Sequence, residues 1–305
     1  MNRETENIID RRTMLGLTAT AMAGSLAACT HPTVAPTSRT DVPARQRFQN
    51  KVVIITGATS GIGRAAAEQF AAEGGRVAFC GRRENLGRNV ESSIRSRGGE
   101  ATYIRADVRD ESQVKAFVDQ TVQKYGRLDV AFNNAGVTIE RPLHEFTSAE
   151  WDDVINTNLR GVFLAMKYEI PYMLANGGGN ILVTSSSNAI ATTAKRSPYT
   201  SSKRGLVGLV QSAALDYVEK GIRINALIPG TTDTALVRKD VGMEHAPDAV
   251  YEAGVGLWAK SHVPMGRLAK PDEIAAFALA LASDDFPFMT ASQMVIDGGK
   301  TARAE

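Results

Sequence analysis

The stretch Val52-Val53-Ile54-Ile55-Thr56-Gly57-Ala58-Thr59-Ser60-Gly61-Ile62-Gly63 decides the fold. Four consecutive β-branched residues predict a strand buried on both faces. A glycine-rich turn follows, and then a helical stretch over Arg64–Glu73. Glycines in such a strand–turn–helix unit let the chain reverse tightly, bring backbone close to a pyrophosphate and pack helix against strand. The helix start adds unpaired N–H groups and the positive end of its dipole, which suits phosphate. The spacing G-x-x-x-G-x-G is weak evidence alone, because an ordinary glycine turn also satisfies it.

Outward from this unit the alternation repeats. Further strands are predicted at Arg76–Cys80, Thr102–Arg105, Leu128–Phe132, Ile181–Thr184, Arg223–Ile228 and Met294–Ile296. Helices are predicted at Arg83–Ser96, Glu111–Tyr125, Trp151–Leu174, Tyr199–Val218 and Pro271–Ala282. This order predicts an α/β fold: a Rossmann-type, doubly wound parallel β-sheet with helices on both faces, in one domain over residues 48–305. Residues 231–264 break the rhythm, and a long connection of mixed character reads as a mobile lid over a site.

Composition narrows the class further. The 305 residues are 43% hydrophobic and 22% charged with a net charge of +2, so a basic face for nucleic acid is not expected. Two cysteines, Cys29 and Cys80, cannot build a disulfide framework, and the four histidines lack ligand spacing, so no metal is expected.

The amino terminus reads separately. Arg11-Arg12 precedes an apolar stretch, Met14 to Ala28, too short to span a bilayer at the roughly 20 residues that a helix needs. Residues 1–29 therefore read as an export signal. Arg11-Arg12-Thr13-Met14-Leu15 resembles a twin-arginine signal, and Leu26-Ala27-Ala28-Cys29 resembles a lipobox. The expected location is periplasmic or membrane-anchored through a lipidated Cys29, and cytoplasmic if the signal is not real. Residues 30–47, with three prolines and no hydrophobic period, read as a linker.

Several motifs fall in a fixed order: Thr56 to Gly63, Asn133-Asn134-Ala135-Gly136, Tyr199-x-x-x-Lys203, Pro229-Gly230 and Asp297-Gly298-Gly299. Together they resemble the short-chain dehydrogenase/reductase family, from about residue 48 to Gly299, in a subgroup similar to glucose and alcohol dehydrogenases. The resemblance implies an enzyme that moves hydride between NAD(P) and an alcohol or carbonyl. The implied dinucleotide site comprises Gly57, Thr59, Ser60, Gly61, Ile62 and Gly63 of the turn, the adenine-side pair Asp107-Val108, and Asn134, Ala135 and Gly136. Pro229, Gly230, Thr232 and Thr234 complete it, although Thr232 stands where Ile or Val is common. Thr290-Ala291 likewise replaces a usual Thr-Gly. A homotetramer built on helices around 151–174 and 199–218 is implied as well.

Cofactor choice turns on Cys80-Gly81-Arg82-Arg83. Gly81 occupies the place of an NAD-selecting carboxylate, and Arg82, with Arg83 beside it, offers a guanidinium fork to a 2′-phosphate. NADP(H) is therefore expected in preference, with NAD(H) possible.

Tyr199 and Lys203 lie one helical turn apart on one face. A phenol of ordinary pKa near 10 is a poor acid/base at neutrality, but a neighbouring ammonium favours its ionised form. Tyr199 is thus the expected general acid/base, and Lys203 the implied partner of the cofactor's ribose. Ser186, thirteen residues before Tyr199, is expected to bond the substrate oxygen, with Ser185 and Ser187 as alternatives. Asn158 matches the fourth member of the family's tetrad, with an implied water-holding role toward Lys203, whereas Asn156 reads as a surface residue. Two other readings compete: an epimerase or dehydratase that retains its cofactor, and a non-catalytic dinucleotide-binding sensor or scaffold.

Overall fold

A computed structural model describes residues 45–302. The expected export signal, and all but the last three residues of the expected linker, lie outside the described residues. Arg47, assigned to that linker, belongs to the folded domain, where its guanidinium donates two 2.6 Å hydrogen bonds to Glu73.

Seven strands and nine α-helices alternate along the described chain. In order these are β1 (Val52–Thr56), α1 (Gly61–Ala72), β2 (Arg76–Gly81), α2 (Glu84–Ser96), β3 (Glu100–Arg105) and α3 (Glu111–Tyr125). Then come β4 (Val130–Asn133), α4 (Ser148–Ile155), α5 (Gly161–Ala175), β5 (Gly179–Thr184), α6 (Ser197–Tyr217) and β6 (Ile222–Pro229). The remainder is α7 (Ala235–Asp240), α8 (Asp248–His262), α9 (Pro271–Ala282) and β7 (Gln293–Ile296).

The strands form one parallel sheet in the order β3-β2-β1-β4-β5-β6-β7. The doubly wound fold expected from the alternation is the observed one. Every residue of β1 is buried, and its side chains alternate between two cores. Val52 and Ile54 join one with Phe117, Met166 and Leu206, from α3, α5 and α6. Val53 and Ile55 join the other with Phe70, Ile94 and Leu279, from α1, α2 and α9. That alternation follows from the two-residue period of a strand.

The chain reverses its direction of winding between β1 and β4, which pair with Thr56 opposite Asn133. The carboxyl ends of these strands diverge into a crevice, the place where open α/β sheets bind ligands. The glycine turn and Asn133-Asn134 both open there.

One stretch differs from expectation, and a second contains helices that the sequence reading does not predict. The single helix predicted over Trp151–Leu174 is α4 and α5 joined by a π-helical turn, Asn156–Arg160. One extra residue in that turn rotates Asn158 inward, where it is fully buried. The connection at 231–264, expected as a mobile lid, contains the two helices α7 and α8. Its Val241, Tyr251, Val255 and Ala259 pack with Leu268, just beyond it, into a small separate core.

Candidate active site

The glycine turn forms the floor of the site. Gly57 has φ of +71°, and a Cβ there would lie 2.6 Å from Ala135 Cα, so both conformation and space require glycine. At Gly63 a Cβ would fall 2.5 Å from the Gly57 carbonyl. Gly63 therefore seats α1 against the turn and does not line the cavity, unlike Gly57, Gly61 and Ile62. Ser60 precedes α1 without a side-chain cap, leaving the first N–H groups of that helix uncapped. This cradle fits a pyrophosphate.

A cavity of 1330 Å³ runs from the turn to Tyr199. It exceeds the roughly 300–1,000 Å³ usual for a single small ligand, leaving room for a dinucleotide and a substrate together. Arg82, Arg83, Asp107, Val108, Asn134, Ala135 and Gly136 line it, as do Pro229, Gly230, Thr232 and Thr234. The two arginines differ in placement. Both are exposed, but Arg83 folds over the turn and donates to Thr59 Oγ1 at 2.9 Å and Ser60 Oγ at 2.6 Å. Burial pushes the Asp107 carboxyl up, but hydrogen bonds from Arg109 outweigh it and hold the group below its usual range.

Asn134 is braced from both sides. Its backbone N–H donates to Thr56 Oγ1 at 3.0 Å, and its Oδ1 accepts from Thr184 Oγ1 at 3.3 Å. Thr234 closes the turn from the other side, its methyl standing 3.2 Å from where a Cβ on Gly61 would lie.

Tyr199 and Lys203 project from α6 into the same cavity. The three neighbouring serines separate by their partners. Ser185 Oγ donates to the Lys203 carbonyl at 2.8 Å, which ties it to α6. Ser186 Oγ accepts from Asn188 N at 3.2 Å and lies close enough to Tyr199 to favour its ionised form. Of the three candidates, Ser186 meets the tyrosine.

Lys203 and Tyr199 lie beside each other, and burial acts on both. Lys203 Nζ donates to the Thr184 carbonyl at 2.7 Å and lies 5.7 Å from the Tyr199 ring centroid. Burial lowers the Lys203 ammonium to about 8. Burial also raises Tyr199 above its ordinary value; the Ser186 hydroxyl and the Arg196 charge pull it down, and Asp240 pushes it up. Desolvation is thus the largest influence on both groups in the chain alone, opposing the charged form of each.

Asn158 does not touch the cavity. Its Oδ1 accepts from Val137 N at 2.8 Å, and its Nδ2 donates to the Val137 carbonyl at 2.9 Å and to Ser202 Oγ at 3.1 Å. It clamps the loop after β4 and is a positioning residue. Its Oδ1 and Lys203 Nζ each lie 3.5 Å from the Cβ position of Gly136. Asn156 is only partly buried.

Sequence reasoning did not single out the charged group at the cavity wall. Arg196 bridges Glu140 and Asp240, the latter at 3.3 Å. Burial raises the Asp240 carboxyl to about 6, with Arg196 opposing and Glu140 adding to the rise. Lys300 lines the same cavity. These four come from separate segments, and no local spacing links them. Among the described residues no cluster of three or more His, Cys, Asp or Glu could hold a metal.

A phosphate cradle at the sheet's switch point, continuous with a tyrosine, serine and lysine, defines a dinucleotide-dependent enzyme of the doubly wound class. The chain belongs to the short-chain dehydrogenase/reductase family: residues 57–301 match the family profile described as enoyl-(acyl carrier protein) reductase. It is 40% identical over 259 residues to an A-factor type gamma-butyrolactone 1'-reductase (1S-forming) of Streptomyces virginiae, covering 83% of this chain and 96% of the relative. It is 39% identical over 258 residues to a cyclohexanol dehydrogenase of an Acinetobacter species, covering 84% and 97%. The crystal structure of levodione reductase superposes with a TM-score of 0.79 at 35% identity, covering 84% of this chain and all of that one. The protein is an oxidoreductase of NAD(P)-dependent type acting on alcohol or carbonyl groups; the epimerase, dehydratase and non-catalytic readings are not favoured.

Proposed function

We propose that Tyr199 is the general acid/base of an NADP-preferring dehydrogenase/reductase acting on a secondary alcohol or ketone carried on a ring. One observation carries the reading: Tyr199 and Ser186 open on the same cavity as the glycine turn and the Arg82-Arg83 pair. A bound nicotinamide dinucleotide supplies or accepts the hydride. Ser186 donates a hydrogen bond to the substrate oxygen and fixes it beside the phenol. Tyr199 gives its proton to that oxygen in reduction and takes it from the hydroxyl in oxidation. Lys203, held by the Thr184 carbonyl, presents its remaining donors to the ribose, and Asn158 keeps the loop after β4 in place. The names of the butyrolactone reductase and the cyclohexanol dehydrogenase support a ring-bearing substrate. NADP preference is supported by Gly81 and the adjacent arginines, with NAD as a weaker alternative.

The test incubates the protein with NADPH and a panel of cyclic ketones while following absorbance at 340 nm. Tyr199→Phe is expected to abolish turnover and retain dinucleotide binding, since only the proton donor is removed. Retained turnover would discard the assignment.

Two further parts of the reading concern assembly and location. The homotetramer expected through α5 and α6 is supported by Phe163, Leu174 and Leu215, large apolar side chains left exposed on those helices. Light scattering on the purified protein tests it, and a monomer would refute it. Export through residues 1–29, with lipidation at Cys29, rests on the sequence pattern. Intact-mass measurement on native protein tests this part, and an unprocessed Met1 would refute it.

A further inference from the structure

We propose that the substrate carries a carboxylate and that Lys300 binds it; this deepens the oxidoreductase reading of the same cavity and rests on it. Lys300 opens a short 3-10 turn directly after Asp297-Gly298-Gly299 and lines the cavity with Trp258 and His262. Its Nζ is 3.4 Å from Thr231 Oγ1 and 5.4 Å from the Trp258 ring centroid. Among the described residues, no carboxylate lies within salt-bridge distance of it.

The acids nearby are already committed. Asp297 accepts from Gly299 N at 2.9 Å through Oδ1, and from Thr301 N at 2.8 Å and Thr301 Oγ1 at 2.6 Å through Oδ2. Glu140 and Asp240 are both paired with Arg196. Lys300 is thus a half-buried ammonium on a cavity wall, against an indole face and a hydroxyl, with no matched counter-ion among the described residues. Burial and the Arg196 charge hold it below the usual lysine range, with Asp297 opposing them. A partly buried cation without a counter-ion carries a desolvation cost, and an arriving anion offsets it.

A single ammonium with one adjacent hydroxyl suits a monoanion. A phosphate recruits several donors, such as the uncapped helix start and arginines at the glycine turn. Lys300, Arg196 and Tyr199 line the same cavity, and Arg196 stands 6.0 Å from the Tyr199 ring centroid. The anion site therefore belongs to the region of the proposed acid/base, and an oxo acid or hydroxy acid is the substrate class that joins the two.

The test pairs 4-oxopentanoate and 4-oxocyclohexanecarboxylate with their methyl esters, on the full chain with NADPH. Binding is read by tryptophan fluorescence and turnover at 340 nm. The wild type should favour each acid over its ester by about 10- to 100-fold in kcat/KM, chiefly through KM. Lys300→Met should bring that ratio near one, and Lys300→Arg should restore part of it. Acids bound in preference to esters without turnover would uphold the anion site and count against the catalytic reading. Turnover of acid and ester with the same ratio in wild type and Lys300→Met would overturn the anion site and leave the catalytic reading standing. Failure to bind any acid more tightly than its ester would overturn it also.

Discussion

The Asn133 amide donates to Glu169 Oε2 at 2.8 Å, while the other oxygen of each side chain, Asn133 Oδ1 and Glu169 Oε1, is buried without a partner among the described residues. Two acceptors left over on one pair call for a single additional donor. A protonated Glu169 supplies it. Burial raises its carboxyl to about 8, with the Asn133 hydrogen bond opposing. Because the folded state holds this proton more tightly than the unfolded chain, the stabilisation is full below the unfolded value near 4.5 and is lost as pH rises through about 8. Three and a half units correspond to a loss on the order of 5 kcal/mol. Glu169→Gln offers an amide donor with no titration. Urea unfolding between pH 5 and 9 should therefore show a smaller decline in the variant than in the wild type. Parallel curves would mean that Glu169 is ionised throughout.

Glu169 also marks where sequence reading stops. An acid between Tyr168 and Ile170 in an apolar helix gives no hint that it faces Asn133 from another element. β1 and the glycine turn were legible because four β-branched residues before clustered glycines admit few other readings. Ser186, Tyr199 and Lys203 were legible through the order of several motifs. The π-helical turn at Asn156–Arg160 was not, since one inserted residue barely disturbs the apolar period of a long helix. Tyr251, Val255 and Ala259 do recur every fourth residue in α8, but Gly254 and Gly256 between them weaken the helical signal. Arg196, Glu140, Asp240 and Lys300 meet only after folding.

Ala291 has a φ of +56°, in the left-handed region that favours glycine. Its N–H donates to the Ile224 carbonyl at 2.8 Å, which fixes that conformation at the sheet edge. An L-residue there costs about 1–2 kcal/mol, of which the extra unfolded-state entropy of glycine takes back about 0.5–1. Ala291→Gly should therefore stabilise the protein by about 0.5–1 kcal/mol, seen as a higher urea midpoint. A lower midpoint would show that the methyl packs favourably enough to repay the strain.

Asn158 makes three hydrogen bonds that no smaller side chain can replace, two of them to Val137. Asn158→Ala leaves both polar groups of that peptide unmatched, at a cost of about 2–3 kcal/mol. The loop it releases carries Ala135 and Gly136 into the cavity, so turnover should fall more than tenfold, as expected when reacting groups shift by about 1 Å. Reduced stability with unchanged turnover would make the residue structural only.

Cofactor preference can be tested at Gly81 with a constraint that only the geometry reveals. A Cβ at Gly81 would lie 2.6 Å from the Thr59 methyl and 3.3 Å from Thr59 Oγ1. Gly81→Asp alone introduces the carboxylate that NAD selection needs, yet forces Thr59 aside and loosens the contact of Arg83 with Thr59. It should cost about 1–3 kcal/mol of stability through overpacking and weaken both dinucleotides. Gly81→Asp combined with Thr59→Ser removes the colliding methyl and keeps the hydroxyl. Dissociation constants for NADPH and NADH should then reverse their order in the double variant, because the carboxylate bonds the ribose hydroxyls and repels a 2′-phosphate. Arg82→Ala, in parallel, should weaken NADPH far more than NADH. Equal weakening by Arg82→Ala, together with a double variant that still prefers NADPH, would place phosphate recognition on Arg83 and the glycine turn instead.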